Sequence, residues 1–411
     1  MQTPTIAPPA LTEWLATVEC ERVLANTRIL CDPTFAGRRV GTEGHARASA
    51  WLIQQFRQFG WDVTTQDFSL TTPVLEVSAP LQFTQRSAEG LPLRTLHHRT
   101  EFCEHPRSAF HPEMIQGLAT RLSETADHRD AWVILETVPP GSAFTELAAR
   151  LAEQGAVGIL APLYPGTDGY LVKRVMAGDP IALPLLSVRA DLLPTLAGTV
   201  VQATVPILPQ RPMGQNIVAW LPGLDPDLAN EPLLIGAHYD GIGDDPGGLR
   251  LPGATDNAAA VAVLLELARI VKLLPLAPCR PLALIAFDAE EVGAQGSRVA
   301  AHHFSEQGLA PSLLNLDGAA CQNEAVWVEP GTQTETLVQA LDQAGRWLDI
   351  PLILGNIASD HRQFTSAGFP ALGLSVGAAK LHTPGDAMEQ VQREALSTAT
   401  ILLLAAMYQL I

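Results

Sequence analysis

Short runs of apolar residues alternate with stretches of helical hydrophobic spacing in the second half of the chain. The runs predict buried strands at Asn216–Leu221, Leu233–His238, Leu282–Phe287, Leu313–Leu316, Ala325–Glu329 and Ala371–Val376. The other stretches predict helices at Asn257–Lys272, Gly296–Gln307, Gln333–Leu348, His361–Ala367 and Met388–Tyr408. Because strands separated by helices form βαβ crossovers, the pattern predicts an α/β fold with a mixed, mostly parallel sheet flanked by helices.

The first half of the chain shows two different patterns of hydrophobic residues. Helical spacing over Thr12–Leu30 and Gly44–Phe59 precedes an extended segment at Trp61–Leu70. From about Thr72 to Leu208 the pattern becomes that of short strands, with one strand–helix–strand unit at Ala131–Leu163.

This change in the hydrophobic pattern predicts two structural units. A chain of 411 residues exceeds the size at which a single core usually keeps growing. We expect a discontinuous main unit, 1–71 with 209–411, and a smaller β-rich insert over 72–208. Since both ends of the insert join the main unit, we expect it to cover or border the site.

The net charge narrows the choice of partners. Acidic residues outnumber basic ones by 43 to 26, a formal charge of -17, which disfavours nucleic acid and anionic membrane surfaces. The N-terminus shows no secretory signal, and the apolar run Ile401–Met407 is too short to cross a bilayer. We therefore expect no nucleic-acid or membrane partner and a cytoplasmic location, with a mature secreted form as the alternative.

Residues that can bind a cation follow most of the predicted strands. They are His238, Asp256, Glu290, Glu291, Asp317 and His382. The carboxyl ends of parallel strands meet at one edge of a sheet, so these side chains are expected to converge. Two histidines and three carboxylates suit zinc, a shared carboxylate could join two ions, and the remaining glutamate could move a proton.

Each residue taken alone also has a purely structural explanation. Asp256 with Asn257 could cap a helix, and Glu290 with Glu291 could begin one. His238 could be a hydrogen-bonded core histidine, Asp317 could simply end a strand, and His382 could lie in a surface turn.

Six motifs in order resemble the M28 family of zinc peptidases. They are HYD (238–240), GATDNAAA (253–260), FDAEEVGAQGS (287–297), NLD (315–317), SDHRQFTSAGFPAL (359–372) and HTPGD (382–386). The segment Ala36–Phe56 resembles the usual N-terminal segment of that family. The insert, mainly through Ala131–Leu163 and PIALPLLSVRADLLPTLAG (180–198), resembles the protease-associated (PA) domain found in several peptidase families. The resemblance implies a zinc-exopeptidase fold of the phosphorylase/hydrolase-like type.

The resemblance also implies a role for each motif residue. Asp256 would bridge two zinc ions, His238 and Asp317 would complete one site, and Glu291 and His382 the other. Glu290 would be the general base for a water held between the metals. Asp240 would accept the second ring N–H of His238 and so fix its tautomer.

The implied activity is that of a two-zinc aminopeptidase acting on peptides with a free N-terminus. The sequence shows no evident arginine cluster that would clamp a C-terminal carboxylate, although Arg250 and Arg362 lie near motif loops. A glutaminyl cyclase or a carboxypeptidase of the same family, or a non-catalytic binding module, are the alternatives.

Two positions depart from the family pattern. Gly318 follows Asp317 where a bulky residue is frequent, and Leu381 stands where some members place a tyrosine that supports the oxyanion.

Two further groups of residues are weaker candidates for a functional site. The insert histidines His97, His98, His105 and His111 are expected on surface loops, and Ser359–Asp360–His361 is expected to cap a helix.

Overall fold

The computed structural model describes residues 6–123, 127–274 and 278–411. The helices are α1 (Pro9–Leu15), α2 (Cys20–Leu30), α3 (Glu43–Gln58), α4 (Ser142–Glu153), α5 (Leu193–Leu196), α6 (Ala259–Leu273), α7 (Gln295–Glu306), α8 (Glu335–Leu348), α9 (His361–Ser366) and α10 (Arg393–Leu410). The strands are β1 (Asp62–Ser69), β2 (Val74–Val77), β3 (Phe83–Arg86), β4 (Pro92–Thr95), β5 (Phe102–Glu104), β6 (His111–Arg121), β7 (Ala131–Ile134), β8 (Gly158–Leu163), β9 (Leu185–Arg189), β10 (Val200–Val205), β11 (Ile207–Gln210), β12 (Met213–Leu221), β13 (Leu233–His238), β14 (Leu282–Phe287), β15 (Ser312–Leu316), β16 (Val326–Pro330), β17 (Leu352–Leu354) and β18 (Ala371–Ser375).

The main sheet has eight strands in the order β1-β12-β14-β13-β15-β18-β16-β17. Its centre, β14-β13-β15-β18, is parallel, and β16 pairs parallel with β17. The pairs β1–β12, β12–β14 and β16–β18 are antiparallel. The prediction of a mixed, mostly parallel α/β sheet is therefore confirmed.

Helix α6 crosses the main sheet as a core element. Twelve of its side chains are buried, from Ala259 to Val271, so it is apolar on nearly all faces. It packs with β13, β14 and α10 in one hydrophobic cluster. The strands β13 and β14 are buried at every position, as expected for a parallel sheet covered on both faces.

Several predicted boundaries were wrong. The helix expected over Thr12–Leu30 is two helices, α1 and α2, separated by residues 16–19. The helix expected from Asn257 begins at Ala259, after a turn over Ala254–Ala258 that carries Asp256. The helix expected from Met388 is a short turn over Met388–Gln390 followed by α10.

A second eight-stranded sheet lies within the predicted insert, in the order β4-β3-β10-β6-β7-β8-β9-β5. The strand–helix–strand unit expected at Ala131–Leu163 is present as β7, α4 and β8, and β7 and β8 are parallel neighbours. The division at residues 72 and 208 and the PA-domain resemblance stay predictions.

A buried ion cluster joins this sheet to the main unit. Arg99 Nε lies 2.6 Å from Asp245 Oδ2, and Lys173 Nζ lies 3.0 Å from Asp245 Oδ1. Arg99 also pairs with Glu104, and Lys173 donates to the carbonyl of Gly243 at 2.7 Å. Arg99, Glu104 and Lys173 belong to the insert and Asp245 to the loop after β13, so the two units are tied by charges with almost no access to water.

The ion cluster also corrects one expectation for the insert histidines. His98, expected on a surface loop, is half-buried, and its Nε2 lies 3.0 Å from Glu104.

None of the helices in the described part of the chain is both long and apolar enough to span a membrane.

Arg99→Met should lower the free energy of unfolding by about 3–5 kcal/mol, because it leaves the buried Glu104 without its guanidinium partner and Asp245 with one cation fewer. Against burial, Arg99 holds the pKa of the Glu104 carboxyl well below its usual range. The stabilisation is thus complete above the ordinary carboxyl pKa and is lost as the pH falls below it. Chemical denaturation at neutral and acidic pH measures both effects.

Arg94→Met is the matched control, since Arg94 pairs with Glu101 at the surface of the same unit. Its effect should stay within about 1 kcal/mol. Equal losses in the two variants would contradict a special role for the buried cluster.

Candidate metal centre

The ends of β13 and β15 place the first set of predicted ligands. His238 is the last residue of β13, and Asp317 directly follows β15. The Nε2 atom of His238 lies 3.3 Å from Asp256 Oδ1 and 3.7 Å from Asp317 Oδ1. These three side chains form one compact group of candidate ligands.

Loops after β14 and β18 place the second set. His382 Nε2 lies 3.2 Å from Asp256 Oδ2 and 3.0 Å from Glu291 Oε2. In each set the candidate ligand atoms lie within 4.8 Å of one another. Asp256 belongs to both sets and turns a different oxygen to each histidine, so the structure brings all five predicted ligands together.

The donor set fits divalent cations. Nε2 of His238 and Oε1 of Glu291 are buried and have no hydrogen-bond partner in the described part of the chain. An unsatisfied buried polar atom costs free energy, and coordination to a cation would satisfy both atoms. Imidazole nitrogens with carboxylate oxygens are the ligands that zinc accepts.

The charges of the site residues also favour a bound cation. Burial would lower the pKa of His382, but Glu291 and Asp256 raise it to about 11. Against burial, contacts with His238 and His382 hold the pKa of Asp256 well below its usual range. The carboxylates therefore demand nearby positive charge, which a divalent cation supplies more fully than a proton.

Glu290 lies beside the ligand sets but belongs to neither. Burial, with the charges of Asp317, Asp360 and Glu291, raises its pKa well above the ordinary value, against the opposing effect of His238. A carboxyl group with a raised pKa is suited to taking and returning a proton.

Asp240 contacts both His238 and the loop after β14. His238 Nδ1 hydrogen-bonds with the main-chain carbonyl of Asp240 at 3.3 Å, and the Asp240 carboxylate lies 3.6 Å from that nitrogen. The carboxylate also accepts the main-chain N–H groups of Glu290 at 3.0 Å and Glu291 at 3.2 Å. Asp240 thus fixes the loop that carries the base and one ligand.

Asn257 supports the neighbouring ligands. Its side chain donates to the carbonyl of Leu316 and accepts from the N–H of Gly318, both at 3.1 Å. These bonds connect the turn that carries Asp256 with the residues on either side of Asp317. The capping alternative is therefore wrong for Asp256 and Asn257, because α6 begins later.

Arg38 is a positioning residue that the sequence did not reveal. It is fully buried, and its guanidinium donates to the carbonyls of Tyr239 and Gly253, both at 2.9 Å. These carbonyls follow His238 and precede Asp256 in the chain. The only signal in the sequence was the resemblance of the segment around Ala36–Phe56 to the start of the family.

Asp360 lies at the N-terminal end of α9 but does not cap it. Its side chain makes no capping hydrogen bond, and both carboxylate oxygens are buried without a partner in the described chain. Burial, with the charges of Asp240 and Asp317, raises the pKa of the Asp360 carboxyl to about 7. The charge of His238 opposes this shift. The capping interpretation was therefore wrong, and Asp360 adds another acid near the ligands.

The two departures from the family pattern lie beside the ligands. Gly318 has φ +84°, and a Cβ atom there would lie 2.6 Å from Ser375 Oγ, so the backbone itself favours glycine. Leu381 is 45% exposed and lines a cavity of about 440 Å³ at the site. Polar donors in the lining of the same cavity include the side chains of Asn323, Asn356 and Ser375.

Comparison with known proteins finds a family model that matches part of the chain. Residues 216–407 match the model of Peptidase family M28. Aminopeptidase YwaD of Bacillus subtilis (strain 168) is 30% identical over 207 residues, which cover 43% of this chain and 40% of that protein. Leupeptin-inactivating enzyme 1 of Streptomyces exfoliatus is 29% identical over 181 residues, with 43% and 39% covered. The chain thus matches less than half the length of these curated relatives.

Solved structures show the same fold over nearly the whole chain. A zinc aminopeptidase from Bacillus subtilis, BSAP, superposes with a TM-score of 0.71 at 21% identity, covering 96% of this chain and 95% of that chain. A glutaminyl cyclase from Porphyromonas gingivalis superposes with a TM-score of 0.51 at 14% identity, covering 96% and 99%.

Asp240→Ala should lower the affinity for Zn²⁺ about 10- to 100-fold, because the N–H groups of Glu290 and Glu291 lose their acceptor and the loop is freed. Titration with Zn²⁺ against a competing chelator measures the change. Asp244→Asn is the matched control in the same loop, since its carboxylate pairs with Arg250 and does not contact the Glu290 loop. Unchanged affinity in Asp240→Ala would contradict the assigned role.

Proposed function

We propose, on the premise that residues 216–407 belong to peptidase family M28, that the chain is a zinc-dependent aminopeptidase acting on peptides with a free N-terminus. The observation that carries the proposal is the placement of Asp256, whose two oxygens face His238 and His382 separately. This placement supports two zinc ions sharing one carboxylate. The aminopeptidase relatives support the direction of cleavage.

The chain's own residues divide the work. His238 with Asp317, and Glu291 with His382, would each hold one zinc together with Asp256. Bound zinc supplies Lewis-acid polarisation and lowers the pKa of coordinated water. Glu290 receives the proton of the attacking water and returns it to the leaving amine, and Asp240 keeps Glu290 in position through its main-chain N–H.

The cavity at the ligands suits the N-terminal end of a peptide. Four acids line it, namely Asp256, Glu290, Glu291 and Asp317. The apolar side chains of Trp327, Ile357 and Leu381 on the same cavity offer contacts for the first side chain.

The two arginines singled out near the motif loops are engaged elsewhere. Arg250 pairs with Asp244 at 2.6 Å, and Arg362 pairs with Glu329 at 2.8 Å. Both arginines are therefore already paired with an acidic side chain of the chain itself. Among family members, a glutaminyl cyclase would work with one zinc, so the metal count separates it.

Peptides blocked at one end or the other test the function. The zinc-loaded chain should release the first residue of leucine-alanine-alanine and of its C-terminal amide but leave the N-acetylated peptide intact, and removing zinc with a chelator should stop the reaction. Cleavage of the N-acetylated peptide from its C-terminal end would indicate a carboxypeptidase. A lack of hydrolysis of every peptide would favour the non-catalytic binding module.

Glu290→Gln should reduce kcat by at least about 10²–10⁴-fold, because the amide cannot accept the proton. Since Glu290 belongs to neither ligand set, the variant should retain two zinc ions per chain by elemental analysis. Asp256→Ala is the comparison variant and should lose zinc from both sites. Near-normal turnover in Glu290→Gln would remove the general-base assignment.

A further inference from the structure

A second cavity, of about 780 Å³, meets the site at Glu291 and His382. These two residues also line the acidic cavity, so the two cavities share a border at one of the candidate metal sites. Its remaining walls come largely from the insert, around residues 105–107 and 172–179, and from residues 71–73. The space can hold several residues of an extended peptide.

Three arginines line this second cavity, namely Arg107, Arg174 and Arg211. Within the described ranges of the chain, none of them forms an ion pair with an acidic side chain. Asp179 and the candidate ligand Glu291 are the acids on the lining. In a chain with a formal charge of -17, three uncompensated guanidinium groups on one wall are a local excess of positive charge.

Neighbouring groups hold two of these arginines in place. Arg107 donates to the carbonyl of Asp179 at 3.1 Å and to Thr145 Oγ1 at 2.7 Å, and its guanidinium lies 5.5 Å from the centre of the Phe144 ring. Arg211 donates to the carbonyl of Thr71 at 3.3 Å. These contacts are with neutral groups, so they orient the guanidiniums without cancelling their charge.

Arg174 is tied to the metal centre through the main chain. The N–H of the preceding residue, Lys173, donates to the carbonyl of His382 at 3.0 Å. Asp168 of the insert also accepts from the Thr383 hydroxyl at 2.5 Å. Because consecutive Cα atoms are about 3.8 Å apart, the main chain of Arg174 lies within a few ångströms of the segment that carries the candidate ligand His382.

His105 on the same wall does not contribute to the positive charge. Burial, with the charges of Arg174 and Arg107, lowers the pKa of its imidazole to about 4. The imidazole is therefore neutral at neutral pH, and the arginines rather than His105 supply the positive charge of this wall.

We propose that this arginine-lined cavity binds the C-terminal carboxylate of a short peptide whose N-terminus lies in the acidic cavity. Arginine is suited to the task because its planar fork can bind a carboxylate through two hydrogen bonds. An acidic cavity and an arginine-lined cavity that meet at Glu291 and His382 match the two opposite charges of a zwitterionic peptide of a few residues. The inference rests on the proposed aminopeptidase function and adds a preference for short peptides with a free C-terminus.

The test compares three peptides on the zinc-loaded chain: leucine-alanine-alanine, its C-terminal amide, and the amide of leucine-alanine-glutamate. The free acid should have a lower KM than the first amide, with similar kcat. Arg174→Gln should raise KM for the free acid about 10- to 100-fold and leave KM for the first amide unchanged. Arg174 is exposed, so the variant is expected to fold.

Arg57→Gln is the matched control, since Arg57 is an exposed arginine of α3 outside this cavity, and it should behave as the unmodified chain. Equal KM values for the free acid and the first amide, in a chain that cleaves both, would overturn the inference and leave the aminopeptidase function standing. A preference for the glutamate-containing amide without one for the free acid would overturn the C-terminal assignment in favour of an acidic side chain. Failure to cleave any of the three would instead overturn the function itself.

Discussion

Crowding of like charge at one rim of the main sheet is the constraint on which the structure of the site depends. Asp256, Glu291 and Asp317 converge with Glu290 and Asp360 where water is largely excluded. Such a group of carboxylates is costly unless positive charge lies among them. The two histidines compensate part of this negative charge, and bound divalent cations would compensate more of it. Under the proposed function, the same cations would activate water for hydrolysis.

The scaffold places this charge where the sheet allows it. Parallel strands end at a common edge, so ligands distant in the sequence need only follow their strands directly. The backbone there is then fixed by buried side chains. Asp240 accepts two N–H groups of the Glu290 loop, Asn257 connects the segments on either side of Asp317, and Arg38 binds carbonyls beside two ligands.

The unit that contains the second sheet also helps to fix the site. Arg99 and Lys173 hold Asp245 of the loop after β13, and the main chain of Lys173 holds that of His382. Breaking such buried pairs is costly, so the insert and the cleft are expected to unfold together. The insert also supplies most of the arginine-lined wall, so the unit that stabilises the ligand loop gives the cleft its basic half.

The sequence alone determined the α/β fold, the central strands and the residues that meet at the rim, because strand periodicity and the position of a ligand after its strand are local properties. It did not determine that α6 begins at Ala259 or that Asp360 is buried without a cap, since these depend on what packs around them. The arginine wall was equally hidden. Arg107, Arg174 and Arg211 are far apart in the chain and belong to no motif, and only the folded chain brings them together on the lining of one cavity.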